Sequence, residues 1–108
     1  MAKPTISSKK VRGEVHLTVE GELDIAAAPH LKEALAVAAA TGRPVVVDMG
    51  GVTFCDSTGL GVLVGGHKRT RAEGASMRIE NAPEMLRKTF ALTGLDKVLD
   101  ISPGAAGG

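Results

Sequence analysis

The sequence predicts an α/β fold in which a mixed sheet of four to five strands, an antiparallel hairpin followed by βαβ units, is covered by about three helices. Three observations carry this. Val15, Leu17 and Val19 alternate with polar residues, the period of a strand with one buried face. Three later segments space their apolar residues at helical intervals, and short β-rich runs separate them. A helix lying between consecutive strands implies parallel pairing and right-handed crossovers.

The elements follow in order. Thr5 to Lys10 is a weak first strand, and Arg12-Gly13 before the Val15–Val19 alternation predicts a tight antiparallel hairpin. Gly21-Glu22-Leu23-Asp24 breaks the alternation. From Ala27, with Pro29 suited to a first helical turn, Leu31, Ala34, Leu35 and Ala38 form one apolar helix face until Thr41-Gly42. Pro44 to Met49 is β-branched without alternation, which predicts a central strand covered on both faces. Leu60, Leu63, Val64 and His67 mark a second helix ending near Glu73-Gly74, and the Gly65-Gly66 pair inside it predicts the close approach of a neighbour. Ala75 to Glu80 reads as a strand with Met77 and Ile79 on one face. Asn81-Ala82-Pro83 opens a third helix with Leu86, Thr89 and Phe90 inward, Gly94 stops it, and Val98 to Ile101 makes an edge strand. Residues 5–101 form one domain on this reading, and 102–108 a flexible Gly/Ala tail.

Composition narrows the function. A 108-residue chain suits one domain with a modest core, and two Phe with no Trp or Tyr argue against a surface that stacks bases. Thirteen basic against twelve acidic residues supply no field for nucleic acid or membrane, so partner choice is local. The single Cys55 cannot form an internal disulfide, and no apolar run approaches a membrane span, so the expected location is the cytoplasm.

The most informative stretch is Phe54-Cys55-Asp56-Ser57-Thr58-Gly59-Leu60-Gly61, where a strand gives way to a helix with a serine at the opening. Loops at the carboxyl ends of parallel strands are where ligands and partners are met, and both the Asp56-Ser57 and Glu80-Asn81 loops belong to that class. A nucleophile elbow needs Gly where Cys55 stands, and no His follows His67 to complete its order. The aspartic-protease pattern is broken by an extra residue between Asp56 and Gly59, and the three His have no metal-ligand spacing. A phosphate-cradling Gly-Lys-Ser/Thr is absent. Catalytic residues, metal ligands and cofactors are therefore not expected. Two roles remain open: Asp56 or Ser57 is a plain helix cap, or the serine is the substrate of another enzyme, placed where a helix dipole tolerates a phosphate.

Gly21-Glu22-Leu23-Asp24, the Val45-Val46-Val47-Asp48 strand, the Asp56-Ser57-Thr58-Gly59-Leu60 element and Leu92-Thr93-Gly94-Leu95 together resemble the STAS domain of bacterial anti-sigma factor antagonists. The resemblance spans roughly residues 5 to 101 in one order. It implies a non-enzymatic cytoplasmic regulator of transcription, a monomer or weak dimer, that works by partner switching in a stress response. The unphosphorylated form binds an anti-sigma factor that is a serine kinase and frees a sigma factor; the kinase phosphorylates Ser57, with Thr58 the lesser candidate, and a PP2C-type phosphatase reverses this. Asp24, Asp56, Ser57, Thr58, Gly59 and Leu60 become the partner-binding residues by the same resemblance.

Two features depart from the pattern. A further carboxyl-terminal helix is usual in such domains, whereas Ser102-Pro103-Gly104 runs into Gly and Ala, and Ala26-Ala27-Ala28 leaves the first helix without an evident side-chain cap. Lys68-Arg69-Thr70-Arg71 lies about 15 Å along the helix from Ser57, too far to hold a phosphate there, and reads as a solvated face. The alternative function is a structural STAS subunit, of a lipid-transport ABC complex or a stress-signalling scaffold, that docks without hydroxyl chemistry.

Overall fold

A computed structural model describes residues 5–102; the terminal segments 1–4 and 103–108, including most of the expected tail, lie outside the described residues. Strand β1 (Thr5–Val11) pairs antiparallel with β2 (Glu14–Leu23) through a turn in which Arg12 (φ 52°) and Gly13 (φ 83°) are both left-handed, the geometry that matches strand twist in a two-residue hairpin. Helix α1 (Ala28–Ala40) crosses to β3 (Val45–Cys55), α2 (Ser57–Ala72) to β4 (Met77–Glu80), and α3 (Glu84–Thr93) with a short 3-10 turn (Leu95–Lys97) to β5 (Asp100–Ile101). The sheet order is β1-β2-β3-β4-β5, and every pair after the first is parallel. The expected α/β architecture is present, with five strands where four to five were expected.

Each crossover moves one strand over in the same direction, so right-handed connections place the three helices on one face of the sheet. The core lies between them. Val15, Leu17 and Val19 of β2, Val45, Val47 and Met49 of β3, and Met77 and Ile79 of β4 meet Leu31 and Leu35 of α1, Leu60 and Leu63 of α2, and Leu86 and Phe90 of α3 in one cluster. Thr89, expected inward, is half-buried.

The opposite face carries no helix, which corrects the expectation that β3 is covered on both sides. Val46 is nevertheless 0% exposed. It sits in register between His16 of β2 and Arg78 of β4. The Arg78 guanidinium reaches over it to donate to both Glu14 carboxylate oxygens, at 3.1 and 3.3 Å, and to Glu80 at 2.8 Å, while His16 Nε2 stands 3.1 Å from Glu14. An ionic cluster, not a helix, shields the apolar strand centre. An unbroken Val-Val-Val run has the same appearance in sequence whichever cover it receives.

Several boundaries also differ from expectation, and β4 begins at Met77 where Ala75 was expected. Strand β2 continues through Gly21-Glu22 to Leu23, accommodated by register shifts against β3 at Thr18/Glu20 and Gly21/Glu22. Strand β3 runs on past Met49 to Cys55 because β2 extends alongside it, and the edge strand shrinks to Asp100–Ile101 because Leu95 to Lys97 take a 3-10 turn. Strand β4, by contrast, ends in register with Asp48. The Asn81 loop therefore packs near Gly50, well short of the Asp56 loop, and the two do not form one site.

Candidate functional site

The site is built where β2 and β3 end together. Leu23 and Cys55 are in register, and the Asp56 amide donates to the Leu23 carbonyl at 3.1 Å, which sets Asp24 and Asp56 at adjacent strand ends. Asp56 is extended (φ −92°, ψ −175°), and its Oδ1 accepts the amides of Thr58 at 2.9 Å and Gly59 at 3.1 Å. Asp56 is thus the N-cap of α2. Ser57 is the first helical residue, exposed, and its hydroxyl makes no hydrogen bond to any described residue. Of the two capping candidates in the sequence, the aspartate takes the role and the serine is left free.

Asp24 performs the equivalent service one strand away. Its Oδ1 accepts the amides of Ala26 at 3.1 Å and Ala27 at 3.0 Å, and its carbonyl accepts Ala27 and Ala28 at 3.0 Å. Helix α1 has no side-chain cap of its own, as the three alanines foretell, because this turn from Asp24 satisfies the backbone just ahead of it.

Of the six residues expected to meet a partner, Asp24, Asp56, Ser57 and Thr58 reach the surface, whereas Gly59 and Leu60 are buried. A Cβ on Gly59 would lie 2.8 Å from both Cys55 Sγ and the Leu23 carbonyl oxygen, and Leu60 belongs to the core. These two hold the loop against the sheet and present no surface. Two side chains absent from the expected set do: Ile25 is 73% exposed and Phe54 47%. Phe54 pairs with Glu22, away from the core, because Cys55 beside it takes the inward position. Strand alternation does not give this in the sequence, because the register shifts against β2 interrupt it: Val52 is buried, whereas Phe54 two positions on is exposed.

Burial, and then the Asp56 charge, push the thiol of the half-buried Cys55 up to about 11, which disfavours its thiolate. His16 stands at the far end of the sheet, in register with Val46, held by Glu14.

Helices α1 and α2 enclose a groove of about 520 Å³ that begins at Ser57 and Thr58 and ends at Arg69, with Lys32 of α1 on its wall. Gly61 and Gly65 floor it, and a Cβ on either would meet nothing within 4 Å. At Gly66 the helices touch. The Lys68–Arg71 group is therefore divided: Arg69 faces the groove, while Thr70 is buried and donates to the Gly66 carbonyl at 2.7 Å, which corrects its placement on a solvated face. Among the described residues no helix is long and apolar enough to cross a membrane, and no cluster of three or more His, Cys, Asp or Glu is placed to hold a metal.

Comparison with known proteins bears on this geometry. The family model described as Mlab, STAS domain matches residues 6–100. The chain is 36% identical over 103 residues to the anti-sigma-B factor antagonist of Bacillus subtilis, covering 95% of this chain and 94% of that one. It is 35% identical over 88 residues to the protein of the same name in Listeria monocytogenes, covering 81% and 77%. Among solved structures, an anti-sigma factor antagonist from Mycobacterium paratuberculosis superposes with a TM-score of 0.82 at 26% identity, over 97% of this chain and 90% of that one.

Proposed function

The chain belongs to the STAS domain family, and from that premise we propose that it is an anti-sigma factor antagonist switched by phosphorylation at Ser57. In the unmodified state it binds an anti-sigma factor that is itself a serine kinase, and a sigma factor is released. The kinase then writes on the loop: the Ser57 hydroxyl oxygen bonds to the γ-phosphorus of ATP, the bond to the bridging oxygen breaks, ADP departs, and the hydroxyl proton passes to a base on the kinase. A PP2C-type phosphatase hydrolyses the ester and restores the hydroxyl.

One observation carries this reading. Asp56 caps α2 alone, so Ser57 stands exposed with its hydroxyl uncommitted, and modifying it breaks no hydrogen bond of the fold. The same uncommitted hydroxyl favours a regulator over a purely structural subunit, which needs no chemistry at that position. A phosphate there adds about −1.5 to −2 charges beside Asp56 and Asp24, on a surface where Ile25 and Phe54 offer apolar contact. A partner seated on the neutral loop would then face like-charge repulsion and a desolvation cost. The chain acts here as a substrate, not an enzyme.

The test is phosphorylation itself. The purified chain is incubated with ATP and the anti-sigma factor kinases of its host, and the modified residue is mapped by mass spectrometry. Phosphate on Ser57, lost in Ser57→Ala, is the expected result; no phosphate with any of these kinases would overturn the reading.

A further inference from the structure

A phosphate on Ser57 arrives where the usual helix-terminal donors are already taken. The Thr58 and Gly59 amides donate to Asp56 Oδ1, and the Leu60 amide donates to the Asp56 carbonyl at 3.0 Å. The helix end favours the added charge through its dipole but has few free N–H groups with which to hold it, and a carboxylate stands beside it. Charge compensation has to come from a side chain.

We propose that Lys32 supplies it, pairing with the Ser57 phosphate across the notch at Gly61; this rests on the reading of Ser57 as the phosphorylated residue. Strands β2, β3 and β4 are parallel, so α1 and α2, each returning from the end of one to the start of the next, run parallel to one another. They touch where Leu35 meets Gly66. Lys32 lies about one turn before Leu35 and is thereby displaced toward the end of the groove at which Ser57 stands. Helical side chains lean toward the N-terminus of their helix, which carries the Lys32 ammonium further in that direction. Lys32 and Ser57 line the same groove.

The approach is open at Gly61. Gly61 stands one turn after Ser57 with open space where a side chain would be. Lys32 is exposed and makes no salt bridge among the described residues. Glu33, its neighbour, lines a different cavity, between α1 and β1. Arg69 shares the groove but lies about 18 Å from Ser57 along α2. Once paired, Lys32 is drawn over the groove mouth, so the modified form both neutralises part of its new charge and closes the cavity beside the loop.

The experiment uses the full chain with phosphoserine installed at residue 57 during translation through an expanded genetic code, titrated by phosphorus-31 NMR. The wild-type phosphate is expected to titrate below the value of about 6 for a free phosphoserine. Lys32→Gln is expected to raise the midpoint by about half a unit, in line with loss of an exposed ion pair, Lys32→Arg to keep it low, and Arg69→Gln to leave it unchanged. Coincident titrations of wild type and Lys32→Gln overturn the pairing, and so does an equal shift from Arg69→Gln. No kinase is needed to place the phosphate, so the titration stands apart from the mapping experiment: failure of the mapping overturns the phosphorylation reading, and failure of the titration overturns only the role of Lys32.

Discussion

Gly66 of α2 and Leu35 of α1 meet with no room for a methyl group between them: a Cβ on Gly66 would lie 2.8 Å from Leu35 Cδ1 and 3.2 Å from Leu35 Cβ. Leu35 is 2% exposed. Gly66→Ala is therefore expected to destabilise the protein by about 1–3 kcal/mol through overpacking, despite the better helix propensity of alanine. Gly65→Ala meets open space and is expected to stabilise by up to about 1 kcal/mol. Urea unfolding of the two variants checks the contrast, and equal effects would contradict the packing described.

Asp56 and Ser57 separate in the same kind of measurement. Removing the cap in Asp56→Ala is expected to cost about 0.5–2 kcal/mol, with most of it restored in Asp56→Asn, whose amide oxygen accepts the same two N–H groups. Ser57→Ala removes a hydroxyl that has no partner among the described residues and should stay within about 0.5 kcal/mol of wild type. A large loss from Ser57→Ala would make the serine a structural residue.

The helix-free face predicts an acid response. Its hydrogen bonds to Arg78, and secondarily to His16, hold the Glu14 carboxyl below its ordinary 4.5. A carboxyl depressed in the folded state contributes stability above its unfolded value, and that contribution is lost as pH falls below 4.5 through the folded value. Arg78→Met removes the main cause, so the variant is expected to be less stable at neutral pH and to lose less on acidification than wild type. Parallel stability curves from pH 7 to 3 would show that the pair does not couple to folding.

Cys55 predicts the opposite sign. Its thiol, raised from 9.0 to about 11 by burial and by Asp56, favours the protonated form in the fold, so stability is full below 9.0 and declines as pH climbs toward 11. At pH 8 an alkylating reagent is expected to modify Cys55 at least about tenfold more slowly than an unstructured cysteine peptide, since the thiolate is scarce. Reaction at the peptide's rate would place the thiol in solvent.

Much of this arrangement is legible in the sequence, and what is not has identifiable causes. The Val15–Val19 alternation, the Arg12-Gly13 turn, the three helices and the Asp56-Ser57 transition depend on local period and turn chemistry, and the structure has each of them. The helix-free face is not local: Val46 is shielded by Arg78 and Glu14, which are 64 positions apart in sequence. Strand β3 beyond Met49 is equally hidden, because its extension depends on β2 running beside it. That extension brings Asp24 next to Asp56 and turns Phe54 outward. The groove, too, needed the helix pair, since only the position of Leu35 distinguishes a packed Gly66 from an open Gly65.

Charge on Ser57 is proposed to set partner occupancy, and calorimetry reads that coupling. The full chain, unmodified and carrying phosphoserine at residue 57, is titrated into the anti-sigma factor kinase that modifies it. The phosphorylated form is expected to bind about 5- to 150-fold more weakly, a coupling of about 1–3 kcal/mol, with Ser57→Ala binding like the unmodified chain. Equal affinities of the two forms would contradict the account.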